Sequence, residues 1–485
     1  MQKQILKLIF VLMVFLMLPS FASAAVFLDG STIGCNNGST NYAPITRSCG
    51  SGNDTVYLDL ANFNTGIVPS VTNYVRSGNY FRDGVPGSLV VAVSKSGIDN
   101  NNRTVISAYP GEERQVIIGT ATRGATYNSN PGDTVSPYGG SQTYYPNTVL
   151  AISGASYVTI NGLKIYGQTY TWGGHDVTLQ NSDFGGGGPS ELQGNVVKLH
   201  GGDTGGQNLI VRNNGIHNSC WGENDENGSA IIMYNASALI EGNIFYDNWG
   251  YDIFTKDSGN QAGQTTEIKN NFFAPSAIFP AVGGIRGHNQ DVQIDSLLIH
   301  HNIFLQKQTA FAVLATPVIN RIYNNTFINS AYDIGNSSSG GPHPIESYNN
   351  LFYHATNQYF AELYMDTGTV YTDYFAGSNW NVFYNNGSKW GKSAPGALTW
   401  ETTLSGWQTR TGLDGSSIMA NPNFVNAAGT VPTDFKRSAY IENFAGSMYG
   451  THAGAYEVGD EQIGIDWSIQ ADDIAPAAPS GLGVL

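Results

Sequence analysis

The hexapeptide IYNNTF, residues 322–327, is one copy of a phrase that recurs along the chain. Each copy carries two central residues, usually polar and most often Asn, and ends on an aromatic or aliphatic residue. The other copies are LQNSDF (179–184), VRNNGI (211–216), IEGNIF (240–245), IKNNFF (268–273), IHHNIF (299–304), SYNNLF (347–352), SNWNVF (378–383) and, more weakly, INGLKI (160–165). Successive copies are 19 to 32 residues apart. This spacing indicates a solenoid, because one coil cannot bury its apolar side alone.

The phrase predicts an all-β fold, a single-stranded right-handed parallel β-helix. Asn suits a corner because it tolerates the left-handed backbone conformation, and its amide can bond to the Asn one coil above. His217, His300 and His301 fall within or at the end of copies of the phrase, and we expect them to be structural. The variable spacing predicts coils that differ in loop length, with long loops on one side forming a groove.

The two ends of the chain differ from this repeat. Residues 1–24 have the pattern of a cleaved signal peptide, with Lys3 and Lys7 before an apolar run and small residues at 22–24. A membrane anchor is the competing interpretation, but the run is shorter than the roughly 20 residues that a span requires. We expect the β-helix at 25–457, and an acidic, Pro-rich tail or linker at 458–485.

Composition and cysteines restrict the function. The formal net charge is −15 and becomes more negative once Lys3 and Lys7 are removed, which disfavours nucleic acid as a partner. Cys35 and Cys49 lie close together near the predicted mature terminus, as expected for a disulfide in an oxidising compartment. Cys220 is the odd cysteine, and we expect a buried, inert thiol. The sequence predicts a secreted or cell-surface protein, a monomer without a membrane span.

A second strand precedes the corner phrase in each coil, and five such strands align: 196–202, 230–236, 252–258, 283–289 and 311–317. Period-2 alternation puts Val197, Leu199, Ile232, Ile253 and Ile285 inside. The neighbouring residues then form one outward strip, composed of Lys198, His200, Met233, Asp252, Phe254, Lys256, Arg286 and His288. This strip would be basic. Solvated surface is the ordinary explanation for each of these residues taken alone.

A basic strip suits β-elimination of a uronate polymer, in which a base removes the proton alpha to the carboxylate while a cation neutralises that carboxylate. Lysine serves as a base only if its pKa falls from about 10.4, and a neighbouring cation or metal favours this. We expect Lys198 or Lys256 as the base and Arg286 as the carboxylate clamp, with His200 and His288 as further candidates.

The chain resembles the pectate-lyase-like β-helix superfamily over most of its length. The resemblance rests on CGSGND (49–54), VRSGNYF (75–81), VISAYPGEERQVIIG (105–119), the Asn phrases, ANPNFVN (420–426) and GAYE (454–457). GGIRG (283–287) and LIEGNIF (239–245) look similar to the alginate lyase and chondroitinase B type. That similarity implies a Lys base at Lys198 and an Arg on a later coil at Arg286. An Arg-His pair of that type is replaced here by Met233 and Tyr234.

Other candidates concern substrate and metal. Trp221 and Trp249 follow two strip coils and could rim the groove with Tyr234 and Asn235, since indole rings stack on sugars. The Trp cluster at 380, 390, 400 and 407 fits either sugar binding or packing. Asp225, Asp252 and Asp257 are candidate calcium ligands, because calcium prefers carboxylate oxygens. A solvated acidic loop is the alternative for Asp225.

The sequence therefore favours a polysaccharide lyase acting on an acidic polymer. Two alternatives stay open: a glycoside hydrolase of the same fold that uses two of these carboxylates, and a non-catalytic carbohydrate-binding or adhesion protein.

Overall fold

The computed structural model describes residues 24–80, 91–119, 148–185, 195–202, 206–219, 228–256, 264–276, 282–288, 296–314, 320–337, 345–355, 359–364, 375–385, 390, 392–394, 401–457 and 459–465. These residues form a right-handed parallel β-helix, as the sequence predicts. Each coil passes through three sheets in turn. In one coil, Thr148–Ser153 belongs to sheet II, Val158–Asn161 to sheet I and Lys164–Tyr166 to sheet III.

Sheet I has 15 strands within the described residues. They are Val26–Leu28, Ser39–Ala43, Ser48–Cys49, Asp54–Tyr57, Thr72–Val75, Thr104–Ala108, Val158–Asn161, Val177–Gln180, Gly206–Arg212, Ala236–Glu241, Thr265–Lys269, Ser296–His300, Asn320–Tyr323, Ile345–Tyr348 and Phe375–Asn379. Ser39–Ala43 pairs antiparallel with its two neighbours, and this end of the sheet carries the Cys35–Cys49 disulfide. The predicted disulfide is therefore confirmed.

Sheets II and III are parallel and have 11 and 12 strands in the described part of the chain. Sheet II contains Val91–Val93, Thr148–Ser153, Gln168–Trp172, Val197–His200, Ile231–Tyr234, Tyr251–Lys256, Gly283–His288, Thr309–Leu314, Tyr332–Ser337, Tyr359–Tyr364 and Lys392–Ala394. Sheet III contains Gly78–Tyr80, Val116–Gly119, Lys164–Tyr166, Asp183–Gly185, Gly215–His217, Ile244–Tyr246, Phe272–Phe273, Ile303–Leu305, Thr326–Ile328, Leu351–Tyr353, Val382–Tyr384 and Ile418–Met419. The helices among the described residues are Leu60–Gly66, Leu404–Thr411 and the 3₁₀ turn Pro432–Phe435.

The recurring phrase is the turn from sheet I to sheet III, and its two central residues have separate tasks. The first adopts the left-handed conformation, as Asn213, Asn270 and His301 do at φ of about 54°. The second forms the buried ladder: the side-chain amide of Asn271 donates to Asn302 Oδ1 at 3.0 Å, and that of Asn302 to Asn325 Oδ1 at 3.0 Å. Every amide thus has a partner one coil away, which removes the cost of burying it.

Loop length varies elsewhere in the coil. From Val158–Asn161 to Phe375–Asn379, each sheet I strand is followed by a turn of two residues. Between these same coils, the connections on either side of sheet II range from 1 to 13 residues. The longer connections therefore flank sheet II in the order of the chain.

The carboxyl-terminal part packs against the solenoid. Trp390 and Trp407 are buried against Phe360, which confirms packing as the task of these two members of the Trp cluster. Residues 459–465, expected to begin the tail, lie on sheet III, where Ile463 is buried and Gly464 N–H donates to the Asn270 carbonyl. Residues 1–23 and 466–485, with most of the expected signal peptide and tail, lie outside the described residues.

Candidate active site

Sheet II brings the five predicted strip strands side by side, in chain order. Register joins Tyr170, Lys198, Ile232, Phe254 and Arg286 into one outward row. A second outward row contains Trp172, His200 and Tyr234, and pairs Lys256 with His288. We call the members of these two rows the sheet II strip. Its inward neighbours Val197, Ile231, Ile253 and Ile285 belong to the hydrophobic core.

The predicted orientation of one coil is wrong. Ile231 and Met233 face the core, and Ile232 lies on the outer face, where Met233 was expected. Residues 231–233 are all apolar, so local alternation cannot select a face. The register with Val197 on one side and Ile253 on the other decides it.

Lys198 lies in the second of the five coils of the strip and is only 4% exposed. Its Nζ lies 5.5 Å from the ring centroid of Tyr170 and 4.8 Å from that of Tyr234. Lys256 Nζ lies 5.6 Å from the same Tyr234 ring. Burial, together with the charge of Lys256, lowers the pKa of Lys198 from 10.5 to about 7. A substantial share of this amine is therefore neutral near neutral pH.

His200 is the centre of an aromatic stack. Its ring lies 4.0 Å from Trp172 and 5.5 Å from Tyr234, with interplanar angles of 30° and 23°. Burial and the charge of Lys198 lower the pKa of His200 to about 4, so the imidazole is neutral at pH 7. Its Nδ1 accepts a hydrogen bond from Gly202 N–H at 3.0 Å. The strip is thus less basic than the sequence suggested, because Lys256 and Arg286 carry most of its charge.

Arg286 lies in the same row as Lys198, three coils away. At about 4.8 Å per coil, the two strands are about 14 Å apart. The guanidinium carbon of Arg286 is 5.4 Å from the Tyr251 ring and 5.0 Å from the Phe254 ring. Lys256 is therefore the cation closer to Lys198.

Asp252 does not fit a calcium site. Although it lies on the outward side of its strand, it is fully buried, and its Oδ2 is 2.5 Å from Lys307 Nζ. The Asn248 amide donates to Oδ1 at 3.0 Å. Burial raises the pKa of the Asp252 carboxyl, and Lys307 opposes that rise. Asp225 and Asp257 lie outside the described residues. Within the described residues, no cluster of three His, Cys, Asp or Glu side chains could hold a metal ion.

The expected substrate-binding residues have mixed outcomes. Tyr234 lies in the strip between the two lysines. The Asn235 amide donates to the Gly202 carbonyl at 2.6 Å, and its positive φ of 48° forms the turn out of sheet II. Trp249 lies in the turn that enters Tyr251–Lys256. Trp221 and the side chain of His288 lie outside the described part of the structure, as does Cys220.

Sequence reasoning missed the coil that precedes Lys198. Tyr170 and Trp172 belong to Gln168–Trp172, which pairs directly with Val197–His200. The stretch QTYTW (168–172) precedes the copy LQNSDF (179–184), just as each strip strand precedes its own copy of the phrase. Applying the strand alignment to that copy as well would have found both rings.

Comparison with known proteins finds solved structures that have a similar fold. No family model and no curated protein sequence matches the chain. Similar solved structures include pectate lyase Pel9A, at 13% identity and a TM-score of 0.38 over 72% of this chain and 79% of that one. They also include a rhamnogalacturonan lyase, at 12% identity and a TM-score of 0.33. That match covers 72% of this chain and 84% of the lyase. A PL6 family alginate lyase, AlyGC, matches at 11% identity and a TM-score of 0.35. That match covers 87% of this chain and 60% of the alginate lyase. The expected likeness to lyases of the β-helix kind is therefore found for the fold alone.

No helix in the described part of the chain has the length and apolar character needed to cross a membrane.

Proposed function

We propose that this protein is a secreted polysaccharide lyase that cleaves a uronate-containing polymer by β-elimination at the sheet II strip. The observation that carries the proposal is the lowered pKa of Lys198, about 7, beside a second cation. A general base is most effective when its pKa is close to the working pH.

Lys198 acts as the base in this mechanism. Its neutral amine takes the proton from the carbon that bears the carboxylate. The electrons of that C–H bond form a carbon–carbon double bond as the glycosidic C–O bond at the β carbon breaks. The leaving oxygen takes a proton from water. Burial favours the neutral amine before the reaction. The ammonium ion that forms then faces the carboxylate of the substrate, which has the opposite charge.

Lys256 neutralises the carboxylate at the reacting sugar, because it is the cation closer to Lys198. Arg286 binds a carboxylate further along the polymer, since its strand is about 14 Å from that of Lys198. The sequence analysis expected Arg286 to neutralise the reacting carboxylate, and this proposal gives that task to Lys256. Trp172, with neutral His200 and Tyr234 beside it, offers a flat aromatic surface for the sugar rings.

Binding without cleavage is the second candidate function. The observation in its favour is the 4% exposure of Lys198, which a substrate must reach. A hydrolase is not proposed, because Asp252 is paired with Lys307 and withdrawn from the surface.

The experiment is a panel of acidic polysaccharides incubated with the purified protein, with and without calcium, and followed by the ultraviolet absorbance of the unsaturated product. We expect one polymer to give product, and Lys198→Met to abolish it. Lys95→Met is the matched control, because Lys95 Nζ donates to the carbonyls of Thr65 and Ile67, away from the strip. Retention of a polymer without product would select the binding function. Full activity of Lys198→Met would exclude the mechanism.

A further inference from the structure

A polar cavity of about 550 Å³ lies on the outer face of sheet I, a different face from the strip. Five consecutive coils form it: Thr72–Val75, Thr104–Ala108, Val158–Asn161, Val177–Gln180 and Gly206–Arg212. The intervening inward residues belong to the hydrophobic core. Four coil steps of about 4.8 Å make this cavity about 19 Å long, which suits an extended chain.

The floor of the cavity is a chain of hydrogen bonds along one outward row. Register aligns Ser107, Asn161, Gln180 and Arg212 in that order. The Asn161 amide donates to Ser107 Oγ at 2.9 Å, and the Gln180 amide donates to Asn161 Oδ1 at 3.3 Å. Arg212 donates from Nε and Nη2 to Gln180 Oε1, at 2.9 and 2.7 Å. The row ends on a guanidinium.

Two arginines face this cavity and neither forms a salt bridge with a described carboxylate. Arg103 donates to neutral oxygens, including Thr159 Oγ1 at 2.8 Å and the Val158 carbonyl at 2.8 Å. Arg212 has only Gln180 as its acceptor among the described residues, so its Nη1 is left for a ligand. Burial lowers the pKa of Arg103, the charge of Asp176 opposes that fall, and the charge of Arg212 adds to it, so the two guanidinium groups lie close enough to repel each other.

Acidic side chains lie near this cavity as well. Glu113 is the carboxylate in its lining, and its oxygens accept the Gly111 N–H at 3.1 and 2.9 Å. Other arginines of this chain are matched: Arg47 with Asp29, Arg76 with Glu112, Arg321 with Glu346 and Arg437 with Glu442. Neither Arg103 nor Arg212 is in a salt bridge with a described carboxylate, although Asp176 partly offsets the charge of Arg103. This long polar cavity therefore offers two cations to a chain of anions, and Arg212 is the one at the end of the polar row.

We propose that this cavity is a second binding site for an anionic polysaccharide, in which Arg212 binds a uronate carboxylate and the polar row follows the chain. The site holds polymer without cleaving it. The proposal takes its ligand class from the function proposed above, but it does not require that the strip be catalytic. Arg212 is the residue that a carboxylate contacts, and Arg103 contributes charge while it holds neighbouring coils together.

The test measures binding of polygalacturonate to Lys198→Met protein, by calorimetry at low salt. Adding Arg212→Gln should weaken binding about tenfold, because one charge-assisted hydrogen bond is lost. Adding Arg321→Gln is the matched control, since that arginine lies on the same face but is paired with Glu346 at 2.7 Å. Its affinity should stay unchanged. Fully methyl-esterified polygalacturonate, which lacks the carboxylates, should not distinguish Arg212→Gln from its parent.

A second measurement needs no variant. Polygalacturonate should protect Arg212 of the wild-type protein from phenylglyoxal, as read by mass spectrometry, and should leave Arg321 unprotected. Three results would each overturn the proposal. The first is that adding Arg212→Gln leaves the affinity of the Lys198→Met protein unchanged, and the second is that Arg212→Gln and Arg321→Gln lower the affinity equally. The third is that polygalacturonate does not protect Arg212. Failure of the lyase mechanism would appear separately, as activity that survives Lys198→Met.

Discussion

Two lysines in the described part of this β-helix are almost completely buried, and their surroundings differ. Lys307 is 2% exposed, and its Nζ contacts the carboxylate of Asp252 at 2.5 Å and the Ala274 carbonyl at 2.6 Å. Lys198 is 4% exposed, and its neighbours include the cation Lys256 and the rings of Tyr170 and Tyr234. Burial alone therefore does not decide what a lysine does. A carboxylate partner makes it structural, whereas a cation beside it makes it a candidate base.

Replacing Lys307 with Met should have the largest effect on stability. It leaves Asp252 buried without its cation, which costs about 3–5 kcal/mol in the free energy of unfolding. Denaturant unfolding followed by circular dichroism measures this loss. The double variant Asp252→Asn, Lys307→Met should recover most of it, because no charge is then left buried. A single variant as stable as wild type would show that this pair is not structural.

Replacing Lys198 with Met should change the free energy of unfolding in the opposite direction, so the variant should be more stable than wild type. The folded-state pKa of about 7 is below the unfolded value of 10.5. The unfolded chain therefore binds more protons between these values, and stability rises with pH across that window. Below about pH 7 the cost of the buried charge is fully present. Lys198→Met removes this cost and should stabilise the protein there, by on the order of 2 kcal/mol after the lost ring contacts are allowed for.

Denaturation midpoints of Lys198→Met and wild type, compared at about pH 6 and about pH 10, measure this difference. The advantage of the variant should shrink at the higher pH. Lys95→Met should show no such change with pH. A Lys198→Met protein that is less stable than wild type at the lower pH would contradict the assignment of Lys198 as a desolvated charge.

Replacing Lys256 with Met tests the cation beside Lys198. Without that charge, the pKa of Lys198 should rise, and the ascending limb of the pH–rate profile should move to higher pH by about one unit. Lys256→Arg keeps the charge and should leave the limb in place. An unmoved limb in Lys256→Met, with only a lower rate, would mean that Lys256 binds substrate but does not tune the base.

The smallest effect should come from the aromatic wall. Trp172→Leu removes the ring that stacks on His200 and should raise KM about threefold to tenfold, with kcat little changed. Steady-state kinetics on a cleaved polymer measures both constants. An equal fall in kcat would indicate that Trp172 positions the reacting groups as well as the sugar.

Sequence alone predicts the repetitive part of this structure. The αL corner is imposed by the backbone of every coil, so all nine copies of the phrase show it, and seven of them carry the Asn of the ladder. The five strip strands could be aligned for the same reason. Lys198 was found because Val197 and Leu199 around it are apolar, which fixes its direction.

The features of single coils were harder to predict. Residues 231–233 are uniformly apolar, so their register depends on the neighbouring coils. The burial of Asp252 depends on Lys307, which is 55 positions away in sequence. The neutral state of His200 depends on Trp172, Tyr234 and Lys198, which come from three coils. Such properties arise from contacts between coils, and no local pattern reports them.

The most direct test of the central claim is a titration of Lys198 itself. In protein labelled with ¹³C at the lysine side chains, the Lys198 signal can be assigned by its loss in Lys198→Met. We predict a midpoint near pH 7, which moves upward in Lys256→Met. A midpoint above about 10, the ordinary range for lysine, would contradict the account.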